Sequence, residues 1–151
     1  MSPHRWRALT VIAALWSLLG CGAAEPEGLG PRNGTLAPCP DTPNCVHTGH
    51  RHPEGTDGMY LVDSGGDIDS RLREVVESMP RTEVVDSSPG YIHAEATSRI
   101  FRFVDDLELL VAPDGELVVR SASRIGRSDL GANEDRVERL RERLREAGLI
   151  R

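Results

Sequence analysis

The chain has no lysine and no glutamine, and only two Phe, two Tyr and two Trp among 151 residues. All eighteen basic residues are therefore arginine, a pattern of codon usage in a GC-rich coding sequence rather than of function. Net positive charge is also missing: the formal charge is −6, which argues against nucleic acid and anionic lipid headgroups as the main partners. A Gly-rich phosphate loop, a His-Glu zinc-protease helix, a dinucleotide fingerprint and a nucleophile elbow are all lacking. Ser121, Ser123 and Ser128 have only His93 as a histidine within the expected ordered region, and nothing in the sequence places it beside them. The chain is therefore expected not to be an enzyme and to carry no cofactor.

A hydrophobic run long enough to span a bilayer is absent too. The longest, Ala8 to Leu19, is interrupted only by Thr10 and Ser17 and would make a helix of roughly 18 Å, against about 30 Å of hydrocarbon. It follows Arg5 and Arg7, with no acid before it, and ends at Leu18-Leu19-Gly20-Cys21. A basic start, a short apolar run and a small residue before cysteine resemble the bacterial lipobox. Residues 1–20 are thus expected to be a lipoprotein signal peptide and Cys21 the acylated N-terminus of an exported protein. Its expected place is the cell envelope, lipid-anchored outside the cytosol, and the outer membrane where there are two membranes. Losing Arg5 and Arg7 takes the formal charge from −6 to −8. Lipid attachment makes the membrane the first expected partner, since each buried methylene contributes about 0.8 kcal/mol.

Residues 21–38, rich in Gly, Pro, Ala and Glu, are expected to form a flexible tether, with one domain over 39–151. Cys39 and Cys45 remain after Cys21 is acylated, and export favours a disulfide between them. The loop so closed is short, worth about 2 kcal/mol in the chain-entropy model. The rival reading is zinc held by these cysteines with His47, His50 and His52; a solvated His-rich loop in a Gly/Pro-rich stretch is the plainer account, and no metal is expected.

Beyond Gly58 the pattern becomes regular. A strand is expected at Met59 to Val62, then Asp69 as cap of a helix from Ser70 to Met79, whose stripe is Ile68, Leu72, Val75, Val76 and Met79. Strands follow at Thr82–Asp86, Tyr91–Ser98, Ile100–Ala112 and Glu116–Ser123, with turns at Ser88-Pro89-Gly90 and Pro113-Asp114-Gly115. In the third of these, Phe101, Phe103, Asp105, Leu107, Leu109 and Val111 share one parity, and a bulge near Asp105-Asp106 would turn the carboxylate outward. A last helix is expected from Glu134 behind Asn133, with Val137, Leu140, Leu144 and Ala147 inward. The order β-α-β-β-β-β-α gives an α+β fold: an antiparallel sheet of four or five strands with two helices on one face.

Three segments carry a family likeness: Cys39-Pro40 with Pro43-Asn44-Cys45-Val46, the run from Ser98 to Asp106, and the run from Arg120 to Asn133. Over roughly Pro38 to Leu144 the chain resembles the bacterial domain-of-unknown-function family 1499, departing from its pattern at His47, where a small hydroxyl residue is expected. The resemblance implies a small envelope-associated domain, often a lipoprotein, and transfers no catalytic residue.

The charged set Arg99, Arg102, Asp105, Asp106, Arg120, Arg124, Arg127, Asp129 and Arg136 has two readings. Arginine suits bidentate recognition of carboxylate or phosphate, so the set would bind an anionic ligand; equally, Arg–carboxylate pairs would lock the strand-to-helix connection. Three functions follow: a lipid or small hydrophobe held between sheet and helices, a protein-interaction or structural module, or an enzyme using a cleft where Arg124, Asp105 and Asp129 converge. Native mass spectrometry of the mature protein extracted from its own envelope should show the anchor's mass on Cys21 and gain only two protons on reduction. A soluble product lacking the acyl mass would overturn the lipoprotein reading.

Overall fold

The computed structural model describes residues 24–49, 58–62 and 67–151. The signal peptide, Cys21, His50 and His52 lie outside the described residues. Within them the elements are β1 (Cys45–His47), α1 (Ile68–Glu77), β2 (Thr82–Ser88), β3 (Tyr91–Thr97), β4 (Val104–Val111), β5 (Leu117–Ser123) and α2 (Ala132–Glu146). The strands form one antiparallel five-stranded sheet in the order β1-β5-β4-β3-β2. Tight turns at Pro89-Gly90 and around Asp114 help make β2 to β5 a meander, because short connections admit only antiparallel neighbours.

The expected α+β order holds, but its first strand is elsewhere. Met59 to Val62 makes isolated bridges only, Tyr60 to Glu116 and Leu61 to Ile150, while Cys45–His47, expected as loop, pairs along β5. A backbone bond from Leu117 N to Met59 O still seats Met59 in the core. The disulfide joins Cys39 to Cys45, the first residue of β1, and so ties the preceding loop to the sheet edge.

Both helices cover one sheet face. Leu72, Val75 and Val76 of α1 and Val137, Leu140 and Leu144 of α2 meet Ile92, Ala94, Leu107, Leu109, Leu117 and Val119 in a single core. These strand residues are the ones that the period of two sends to the same side. Asp67, not Asp69, caps α1, its carboxylate accepting from Asp69 N and Ser70 N; Asp69 instead accepts from Gly90 N at 3.1 Å, tying helix to turn. Helix α2 begins at Ala132 behind Gly131, whose φ of 84° suits a residue without a side chain, and Asn133 lies inside the helix.

Two expectations about β4 are corrected. It starts at Val104 rather than Ile100, because Ser98 closes a loop on Phe103: Ser98 N donates to Phe103 O and Phe103 N to Ser98 Oγ, both at 2.8 Å. Arg102 takes φ 54° within that loop and breaks the alternation, so Phe101 and Phe103 stack on each other in solvent instead of entering the core. No bulge occurs at Asp105-Asp106; the register shift in the sheet is in β2, between Val84 and Asp86.

The sheet's second face is covered by the N-terminal segment expected to be a tether. Leu36 is fully buried among Tyr91, Leu110 and Val118, and Gly30 N donates to Glu108 Oε1 at 2.8 Å. Over its described part that segment makes specific contacts with the sheet. Leu140→Ala removes a side chain with no exposed surface and should cost about 2–5 kcal/mol, read as a lowered urea midpoint with unchanged slope.

Candidate functional site

Alternation along β4 sends Asp105 and Asp106 to opposite faces of the sheet, and each face supplies its own cations. Toward the helices, Arg136 of α2 donates to Asp105 Oδ2 at 2.6 Å and to Ser121 Oγ at 2.9 Å. Arg136 also donates to Asn133 Oδ1, which accepts from Ser121 Oγ at 2.6 Å. The amide of Asn133 donates onward to Asn44 O, Ser123 Oγ and Asp129 Oδ2. Asp129 in turn accepts from the backbone N–H groups of Gly131 and Asn133, taking the capping role expected of Asn133. Burial works against its charge, yet these bonds outweigh burial and hold its carboxyl below the ordinary range. The network joins the loop before β1 to β4, β5 and α2, and draws Ser121, Ser123, Asp129 and Asn133 from the Arg120–Asn133 motif.

Across the sheet, Arg124 grips Asp106 with two bonds, Nε to Oδ2 at 2.9 Å and Nη2 to Oδ1 at 2.7 Å, and reaches Glu95 at 2.5 Å. His93 Nε2 lies 2.8 Å from Asp106 Oδ1. Next along the face, fully buried Glu108 accepts from Tyr91 Oη, Arg120 Nη1 and Gly30 N. Burial disfavours charge on both His93 and Asp106, but their mutual bond and neighbouring charges win. His93 titrates above its ordinary value, and Asp106, also bonded by Arg124, below its own. Burial first, then the charge and hydrogen bond of Glu108, push the Tyr91 phenol up.

Arg124, Asp105 and Asp129 do not converge, because the sheet separates Arg124 from the other two. Of the charges singled out in the sequence, Asp105, Asp106, Arg120, Arg124, Asp129 and Arg136 are engaged with acids, arginines or backbone of the fold, and Arg124 brings in Glu95, which the sequence did not mark. Arg99, Arg102 and Arg127 are exposed and make no ion pair among the described residues. Two adjoining clefts open where Arg99 sits, at the end of the sheet from which the β3–β4 and β5–α2 loops leave. One, about 240 Å³, has Asp105, Asp135, Arg136, Arg139 and Arg81 on its walls. The other, about 330 Å³, is bounded by Arg81, Glu83, Glu95, Thr97 and Arg102. Arg81 and Arg139 were invisible as site residues, since each sits singly in a turn or on a helix face. His47, read as a weak metal candidate, accepts from Gly49 N through Nδ1, and Cys39 and Cys45 are bonded to each other.

The buried network makes stability depend on pH with a determinate sign. His93, raised on folding, contributes fully below its unfolded value and loses that contribution as pH rises through the folded one. Asp106, lowered on folding, contributes above its unfolded value and loses it as pH falls through the folded one. Stability should therefore be highest between roughly pH 4 and pH 6.5 and decline on both sides. His93→Asn should abolish the alkaline decline only; an unchanged alkaline limb in thermal unfolding would exclude His93 as its source. Arg124→Ala leaves Asp106 buried without its bidentate partner and should cost about 3–5 kcal/mol in the same assay.

Comparison with known proteins adds a family to this geometry. The family model described as "Protein of unknown function (DUF1499)" matches residues 35–144, which hold all five strands and the bonded side chains of both networks, though not Gly30. No curated protein matches the chain. Since the match spans well over half of its length, the chain belongs to the DUF1499 family.

Proposed function

We propose that this chain is a lipid-anchored protein of the cell envelope whose single domain is a non-enzymatic binding module, taking an anionic group in the clefts at the β3–β4 end. The observation that carries the reading is the state of the arginines. Arg99, Arg102 and Arg139 have no ion-pair partner among the described residues, and Arg81 donates its Nε to a backbone carbonyl, Thr97 O, at 3.0 Å. Of the four acids on the cleft walls, Glu95 and Asp105 are already matched by Arg124 and Arg136, which leaves Glu83 and Asp135 against Arg81, Arg99, Arg102 and Arg139. The local balance is therefore positive on a chain whose overall charge is −6. Guanidinium groups with free donors in one concavity suit a carboxylate or phosphate.

The space between sheet and helices offers less support for an enclosed apolar ligand. Leu72, Val76, Leu107, Leu109, Leu117, Leu140 and Leu144 are each at most 1% exposed and pack together there. A second reading, a structural or protein-interaction module, draws on the exposed apolar side chains of the same end, Ile100, Phe101 and Leu130 among them.

Titrating the mature Cys21→Ser chain with inorganic phosphate should move the amide resonances of Thr97, Arg99 and Ala132 selectively. Replacing Arg99 and Arg139 together by Ala should weaken that binding about tenfold or more, since each charge-assisted bond contributes about 1.5–3 kcal/mol. Uniform or absent shifts, or binding that survives the double replacement, would overturn the assignment of the cleft.

A further inference from the structure

The large apolar side chains left in solvent are unevenly placed. Among the described residues seven are exposed, and five of them, Ile100 (79%), Phe101 (73%), Phe103, Ile125 and Leu130 (96%), belong to the two loops at the β3–β4 end. Interleaved with them are Arg99, Arg102 and Arg127, whose guanidinium groups have no ion-pair partner among the described residues. The opposite end differs in kind: its turns and the start of α1 carry Asp67, Asp69, Asp114 and Glu116 beside Arg71 and Arg73, of which Arg71 is bonded to Ala147 O and Arg73 to Glu77. The large exposed apolar side chains and the loop arginines without ion-pair partners among the described residues thus gather at one end. Apolar tips that enter the acyl boundary, ringed by arginines at the depth of phosphates, are the chemistry of a protein lying on a lipid surface.

The path of the N-terminal segment agrees. Read toward the N-terminus, it leaves Leu36 at the row Tyr91, Leu110 and Val118, reaches Gly30 at Glu108, and brings Glu25 to 4.0 Å from His93. It therefore advances by one row toward the apolar end. From Glu25, the four residues back to Cys21 span at most about 14 Å, and the four from His93 to Thr97 at the sheet's end cover about 13 Å, so an acylated Cys21 can reach the level of Thr97, where the β3–β4 loop begins.

We infer that the end formed by the β3–β4 and β5–α2 loops is a membrane-docking surface: Ile100, Phe101 and Leu130 enter the lipid and Arg99, Arg102 and Arg127 pair with anionic headgroups. The inference rests on the lipid-anchored reading for its natural setting, and it names phospholipid phosphate as the anion served by that end. Such loops meet a membrane without rearrangement of the core, since their side chains already stand free.

The mature chain is free of tryptophan, because Trp6 and Trp16 both precede Cys21. Phe101→Trp therefore gives a single reporter at an exposed aromatic position, and Asp114→Trp gives a control at the far end. Both variants are placed on vesicles of phosphatidylcholine and phosphatidylglycerol whose acyl chains carry bromine. The indole of the Phe101→Trp variant should shift its emission to the blue and be quenched several-fold more than that of the Asp114→Trp variant. Adding Arg99→Glu and Arg102→Glu should reduce that quenching on phosphatidylglycerol-containing vesicles and leave it unaltered on pure phosphatidylcholine; unaltered quenching on both would overturn the headgroup assignment. Intact mass separates the two readings. Protein without acyl chains overturns the anchor, while the Phe101→Trp indole still reports docking to added vesicles. Equal quenching of the two variants, acylated or not, overturns the docking surface and assigns those apolar loops to a protein partner.

Discussion

Two adjacent carboxylates in a strand cannot face the same way, and in β4 this constraint organises the whole domain. Asp105 and Asp106 point through opposite faces of the sheet, at 5% and 1% exposure, where an unpaired charge would cost several kcal/mol. Each must be met by an arginine delivered from elsewhere in the chain. Arg136 arrives on α2 and Arg124 just past the end of β5, so the β5–α2 connection between them is held from both sides of the sheet. That connection carries the long motif behind the family likeness, and its residues are tied up in the holding: Ser121, Ser123, Asp129 and Asn133 complete the hydrogen bonds that the pair Asp105–Arg136 leaves open.

The second face shows why a small sheet with helices on one side only can tolerate so much buried charge. Glu108, with no exposed surface, is satisfied by a tyrosine, an arginine and a backbone N–H brought by Gly30. The N-terminal segment thus does for this face, with a few polar bonds and Leu36, what the helices do for the other with leucines. Buried networks of this type are stable only when their members are matched, which explains why each buried acid of the two faces has its own arginine.

Because the networks consume most of the motif charges, function has to be sought in what they leave over. What remains is at one end: arginines without ion-pair partners among the described residues, two clefts, and loops with hydrophobic side chains in solvent, those of Phe101 and Phe103 by way of the Ser98–Phe103 closure. The proposed binding role rests on that unmatched, amphipathic end, which the proposed lipid anchor would keep beside its target.

The alternating and helical periodicities of the sequence were enough to determine the α+β class, the antiparallel meander, both helices and the inward side of β4 at Leu107 and Leu109, because these follow from local chemistry with periods of 2 and 3.6 residues. The cysteines likewise marked a bridge. The pairing of Cys45–His47 with β5 was illegible, since a three-residue edge strand has no period to read and is decided by a partner roughly 75 residues away. The cap at Asp129, and the exposure of Phe101 and Phe103 in a closed loop, were hidden for the same reason: each depends on a hydrogen bond that local pattern does not report. The set of arginines and acids was visible as a set, but its division was not. Only the tertiary structure decides which arginines are matched and which are left free, because pairing is a property of distance across the sheet, and distance is what a sequence does not contain.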